Sequence, residues 1–137
     1  RDGARVPLPW CGETAPFGFT TGKPWLPLTD KWKELTIEKQ SADPKSSLNL
    51  YRSALKLRAD HLTTQGSITW LESPEHGEKS SSLLAVRRGN VSIYMNLSDS
   101  PIEVEITGKL LIMSAGTVDG RDGKMTIPAV STIWVHH

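Results

Sequence analysis

One cysteine, Cys11, occurs in 137 residues. No internal disulfide can form, which excludes a stapled secreted scaffold. Charge of one sign is equally scarce: 16 Lys and Arg face 15 Asp and Glu, for a formal net charge of +1. That balance gives no field for nucleic acid, a polyanionic partner or an acidic membrane surface. Basic pairs such as Arg87-Arg88 are short and flank apolar strands, where they read as solvated strand ends. No apolar run is long enough to span a bilayer, and no signal or transit peptide is visible. The expectation is a cytoplasmic protein that binds neither nucleic acid nor membrane.

The common catalytic signatures are also missing. There is no HExxH or CxxC spacing for zinc and no Gly-x-Ser-x-Gly elbow for an activated serine. His61 falls at a helix end and His76 in a charged turn, while His136 and His137 are left out of any metal argument. Gly116-Thr117-Val118-Asp119-Gly120-Arg121-Asp122-Gly123 is glycine-rich, but it lacks both the P-loop ending and the GxGxxG spacing. It reads as a strand connection, with glycine and aspartate supplying turn conformations. Asp99, Asp119 and Asp122 are weak calcium candidates without the EF-hand spacing. Glu103 and Glu105 alternate with Ile102, Val104 and Ile106, the pattern of a solvated sheet face and not of a buried acid. Asp2 and Glu13 have no reason to pair. No complete catalytic set and no metal or cofactor site follows from these residues. Two Asn-x-Ser triplets, at Asn90 and Asn96, have no secretory context to give them meaning.

What is present is order. Apolar residues make up 37% and charged residues 23%, as in a folded protein. Residues 1–30 hold Pro7, Pro9, Pro16, Pro24 and Pro27, which exclude a long helix or a central strand. The same stretch holds Trp10, Phe17, Phe19 and Trp25, too many large aromatics for a disordered linker. It reads as an ordered loop pinned by aromatics, and long loops of this kind are often functional. Trp32, Leu35 and Ile37 could anchor a turn or short helix. The clearest helix covers residues 44–62, with Asp43 as N-cap and Pro44 at its first position. Leu48, Tyr51, Leu55 and Leu62, widened by Leu50, Ala54 and Leu57, make an apolar stripe broad enough to need a large partner. From Gly66 onward short strands follow one another: 67–71, 83–87, 91–96, 102–106, 109–113, 125–127 and 130–135. A polar turn over 72–80 and tight turns separate them, as in an antiparallel sandwich.

The opening loop carries the remaining chemistry. Arg1 and Arg5 lie four apart, followed by Pro7, Pro9 and Trp10. Arginine forks on a stiff aromatic loop suit hydroxyls or carboxylates. The alternative is a structural ion pair between Arg1 and Asp2, with the tryptophans as core.

Arg1-Asp2-Gly3-Ala4-Arg5-Val6-Pro7-Leu8-Pro9-Trp10 closely resembles a signature loop of the α-glucosidase and oligo-1,6-glucosidase branch of the α-amylase family. The resemblance continues through Ala15-Pro16-Phe17-Gly18-Phe19-Thr20, Trp25-Leu26-Pro27, Gln40-x-x-Asp43-Pro44-x-Ser46-x-Leu48 and Leu50-Tyr51-Arg52-x-x-Leu55-x-Leu57-Arg58. Leu8 departs from the usual methionine, and Cys11 from a small or acidic residue. The resemblance implies a mainly β chain: a C-terminal antiparallel β-sandwich domain, residues 65–137, preceded by the last loop and helix of a (β/α)8 barrel, residues 1–64.

The resemblance further implies a parent enzyme, a retaining exo-acting α-glucosidase acting on a small α-glucoside substrate. Its nucleophile, acid/base and third acid would lie before Arg1. The chain then reads as a cut piece that is catalytically inactive alone, with the missing N-terminal catalytic barrel as its partner. Arg1 and Arg5 are the implied substrate-binding residues, and Asp2 and Trp10 the loop-supporting ones. The alternatives are a carbohydrate-binding or purely structural accessory domain, or part of a transglycosylase or isomerase. An exposed platform of Trp70, Tyr94 or Trp134 would favour sugar binding; burial of those rings would favour a structural role.

Overall fold

The computed structural model describes residues 2–62, 66–71, 82–121 and 123–137, without the side chains of residues 2 and 119–121. Arg1 and the expected polar turn at 72–80 lie outside the described residues. The chain divides into two compact units, Arg1–Ser53 and Ala54–His137.

In the first unit an irregular loop leads into two short helical pieces. Asp30–Leu35 forms a 3-10 segment, and α1 spans Ile37–Ala42. The join is made by Thr36, which is fully buried. Its hydroxyl oxygen accepts from the Lys39 backbone N–H at 3.3 Å and caps α1. That side-chain bond satisfies one of the four free donors at a helix start.

The next helix, α2, spans Ser47–His61. Its start differs from the reading with Asp43 as N-cap and Pro44 inside the helix. The Asp43 carboxylate instead accepts from the Lys45 N–H at 2.9 Å, closing a local turn. Ser46 takes the capping role, its Oγ accepting from the Asn49 N–H at 3.2 Å. The Asn49 side-chain amide then donates to the carbonyls of Gln40, Ser41 and Asp43. The last carbonyls of α1 are thus satisfied by the first turn of α2.

The second unit is an antiparallel sandwich, as the strand pattern predicts. Its strands are β1 (Ile68–Trp70), β2 (Leu83–Arg88), β3 (Val91–Asn96), β4 (Ile102–Glu105), β5 (Lys109–Met113), β6 (Asp119–Arg121), β7 (Lys124–Ile127) and β8 (Ser131–His136). One sheet has the order β1-β2-β3-β8-β5 and the other β4-β7-β6. β6 falls inside the glycine-rich stretch read as a plain connection. It becomes a strand by pairing with β7, Gly120 opposite Met125, so a tertiary partner overrides low propensity.

Alternation fixes which residues face the core. Leu83, Ala85, Tyr94, Ile133 and Val135 from the larger sheet meet Ile102, Val104, Ile106, Met125 and Ile127. Glu103 and Glu105 are exposed, as their alternation predicts. Glu103 accepts from Lys124 Nζ at 2.8 Å across the solvated face of the smaller sheet. At the edge of the core Asn96, fully buried, ties the sheets together. Its Nδ2 lies at 2.9, 3.1 and 3.0 Å from the carbonyls of Ser100, Ile127 and Pro128. Its Oδ1 accepts from the Ser98 N–H and hydroxyl.

Candidate functional site

The opening loop is held by backbone hydrogen bonds, because its prolines leave no ladder to join. Phe17 is its anchor, 1% exposed. The Phe17 carbonyl accepts from the Trp10 and Cys11 N–H groups at 2.8 and 3.1 Å. The carbonyls of Pro9 and Trp10 accept from the Ile37 and Glu38 N–H groups at the start of α1. The Glu38 carboxylate accepts from the Gly12 N–H at 3.0 Å. Gly18 closes the loop at φ +70°, and a Cβ there would stand 2.6 Å from Cys11 Sγ. Only glycine meets both demands.

Charge braces the outside. Lys39 Nζ lies 3.0 Å from Glu13 and 3.3 Å from Glu34. The hydrogen bond to Glu13 is the main reason the Lys39 ammonium is held above its ordinary range, and Glu34 adds to it. Thr36, Glu38 and Lys39 escaped the sequence reading because nothing in their spacing ties them to residues 9–13, some 26 positions away.

The same loop holds a cleft of ≈ 310 Å³, lined by Arg5, Val6, Pro7, Phe19, Trp25 and Leu26. That volume is at the small end of ligand sites, enough for about one sugar ring. Its walls are apolar, and Arg5, an exposed side chain, supplies the cation. A guanidinium fork beside aromatic walls can bond hydroxyls while a ring face covers sugar C–H groups. Trp25 is 96% exposed at this cleft. The sequence reading singled out Arg5 but not the Trp25 wall.

The other expected site residues are less gathered. Asp2 begins a single 3-10 turn, Asp2–Ala4. Trp10 is half-exposed and joins the loop through its backbone N–H. Among the described residues no group of three or more metal-ligating side chains exists, and no helix is long and apolar enough to cross a membrane. The three rings set as discriminators separate: Tyr94 is buried, Trp134 is half-buried and Trp70 is 70% exposed.

Residues 1–66 match the alpha-amylase family, described as the alpha amylase catalytic domain. An alpha-glucosidase of Candida albicans is 38% identical over 74 residues, 53% of this chain and 13% of its own length. An oligo-1,6-glucosidase of Heyndrickxia coagulans is 38% identical over 110 residues, 77% of this chain and 19% of its own. The chain therefore spans about a fifth or less of these relatives. The trehalulose synthase MutB of Pseudomonas mesoacidophila shares the fold, with a TM-score of 0.77 at 22% identity over 98% of this chain and 25% of the synthase chain. Residues 1–66 thus carry the alpha-amylase catalytic-domain pattern and are similar to the oligo-1,6-glucosidases, and a β-sandwich follows them.

Proposed function

We propose that this chain is the non-catalytic C-terminal part of an enzyme acting on small α-glucosides. In this reading residues 1–64 complete an α-amylase-type barrel and residues 65–137 form a β domain that stabilises it, within a cytoplasmic protein. The observation that carries it is the make-up of the β domain. Its two sheets close on an apolar core with Tyr94 inside and its strand acids turned to solvent.

In the parent, Arg1 and Arg5 would hold hydroxyls of the terminal glucose, with Asp2 and Trp10 supporting the loop. The catalytic acids would come from the remainder of the barrel and act by retention, through a glycosyl intermediate. The apolar cleft beside Arg5 supports a role in sugar positioning. A guanidinium fork bonded to a sugar there would lower the orientational cost of reaching the reactive geometry. Hydrolysis is the first choice because the matched sequence relatives are an alpha-glucosidase and oligo-1,6-glucosidases. Isomerisation by intramolecular glucosyl transfer is the second, favoured by the fold shared with a trehalulose synthase.

The test is an assay of this chain and of the full-length protein on a chromogenic α-glucoside and on sucrose. Activity in the full-length protein alone is expected. Turnover by this chain alone would overturn the non-catalytic reading. Arg5→Lys in the full-length protein should raise KM more than it lowers kcat; unchanged kinetics would remove Arg5 from the site.

A further inference from the structure

The first turn of α1 holds the opening loop by both donors and an acceptor. At a helix start the leading N–H groups have no partner within the helix. Here two of them are used on the loop. The Ile37 N–H donates to the Pro9 carbonyl and the Glu38 N–H to the Trp10 carbonyl, each over 3.0 Å. Glu38 then turns its side chain back, and its carboxylate accepts from the Gly12 N–H at 3.0 Å. One residue of α1 thus clasps the loop on either side of Cys11, donating to Trp10 and accepting from Gly12.

Packing does not fix Gly12. It has φ +81°, and no described atom lies within 4 Å of where a Cβ would stand. The adjoining pair between Lys39 and Glu13 joins two long side chains, with Glu13 mostly open to solvent, so it constrains the backbone little. The bond from Gly12 reaches the backbone directly and ends on a charge, the stronger kind of hydrogen bond. From there the clasp reaches the cleft through both arms of the loop. On one arm Pro9 and Pro7 are buried, with φ fixed by their rings, and Arg5 stands two residues before Pro7. On the other, the Phe17 carbonyl accepts from the Trp10 and Cys11 N–H groups, and Phe19 lines the cleft two residues on.

We propose that Glu38 is a positioning residue for sugar binding: its carboxylate sets the seat of the loop from which Arg5 and Phe19 line the cleft. This rests on the proposed role of Arg5 in holding the sugar. Glu38 does not line the cleft itself, so it acts through Arg5. The bond lies open to solvent, where its loss changes global stability little. What its loss changes is the placement of the loop, and a shift of about 1 Å in a binding group is enough to weaken a site several-fold.

The test uses the full-length protein. Glu38→Ala should raise KM for a chromogenic α-glucoside about threefold or more, with kcat within about twofold and the melting temperature within about 1 °C of the parent. Glu38→Gln keeps an oxygen that accepts from Gly12 and should keep the parental KM. A carboxylate that served only the helix dipole would lower melting equally in both variants and leave KM unmoved, which would overturn the proposal. Adding Glu38→Ala to Arg5→Lys should raise KM by less than about twofold over Arg5→Lys alone, because both changes act on one contact. Multiplied losses would break the link to Arg5 and overturn it as well. Hydrogen exchange at Gly12, read by mass spectrometry, needs no substrate. Exchange about tenfold faster in Glu38→Ala than in the parent is expected, and equal exchange would remove the clasp. Faster exchange in a full-length protein that turns over no small α-glucoside would retire the proposed activity and keep the clasp. Equal exchange in an active protein would do the reverse.

Discussion

The side-chain amide of Asn96, at the end of β3, donates to the backbone carbonyl of Ile127, at the end of β7, over 3.1 Å. It is a polar tie between the two sheets, fully buried, with the carbonyls of Ser100 and Pro128 on the same nitrogen. Asn96→Ala takes this donor from the buried Ile127 carbonyl, while the Ser100 and Pro128 carbonyls keep the Ser98 and Ser131 hydroxyls. A loss of about 3 kcal/mol is expected, measured by urea unfolding followed through tryptophan fluorescence. Ser98→Ala removes the exposed-side hydroxyl that bonds Asn96 Oδ1 and the Ser100 carbonyl, and should cost about 1 kcal/mol. Equal effects for the two would mean that Asn96 is not the tie.

Two glycines with positive φ should respond differently to the same change. Gly108 has φ +137°, and a Cβ there would stand 2.5 Å from the His136 carbonyl oxygen and 2.8 Å from Val135 Cγ1. Gly89, in the turn between β2 and β3, has φ +57° and open space around it. Gly89→Ala should cost about 1 kcal/mol from backbone preference alone. Gly108→Ala should cost clearly more, about 3 kcal/mol, because backbone must move as well. Equilibrium unfolding of the two variants side by side decides the order.

Val130 offers the opposite case. It holds φ +48° and is 69% exposed, so a β-branched residue sits in a left-handed turn with little packing in return. Its N–H donates to the Ser98 carbonyl, so the turn is fixed by its neighbours. Val130→Asn should raise stability by about 1 kcal/mol, since asparagine tolerates that conformation. A lower melting temperature for the variant would contradict the strain.

On α2, Lys56 Nζ lies 2.9 Å from the Asp60 carboxylate, one turn on. The hydrogen bond from Lys56, then its charge, hold Asp60 below the usual carboxylate range. A depressed folded value means the pair's contribution is present above the unfolded pKa and fades as pH falls through the folded one. Lys56→Gln should move the Asp60 titration, followed by carboxyl NMR shifts, back up toward the ordinary value. The melting temperature at neutral pH should stay within error, because the pair is open to solvent.

Much of the sandwich was legible because its strands obey a period of two. Ile102, Val104 and Ile106 face the core, and Glu103 and Glu105 face water, as alternation requires. The start of α2 was not legible. Asp43-Pro44 is a sound helix opening by local rules, yet Ser46 caps the helix, because Asn49 is drawn back onto the carbonyls of α1. That pull is a tertiary choice that local spacing does not encode. β6 was hidden for the same reason, since only β7 makes its residues a strand.

The site divides along similar lines. Arg5 stood out as an arginine in a stiff aromatic loop. Trp25 and Leu26, which line the same cleft, lie twenty residues on, and no spacing in the sequence ties them to Arg5. The rings set to separate a sugar platform from a structural core behaved differently because they sit on opposite faces: Tyr94 points into the sandwich, while Trp70 and Trp134 share the outer face.

The committed amide of Asn96 also bears on how the domain can be decorated. Asn96-Leu97-Ser98 is a glycan acceptor triplet, and its acceptor atom is the nitrogen that joins the sheets. A saccharide on that nitrogen and the closed sandwich exclude each other, since no room or free donor is left at a fully buried side chain. Asn90, exposed at the tip of the β2–β3 turn, suffers no such conflict. Passed through a secretory host, folded molecules would therefore be bare at Asn96, and any sugar they carried from these two triplets would sit on Asn90.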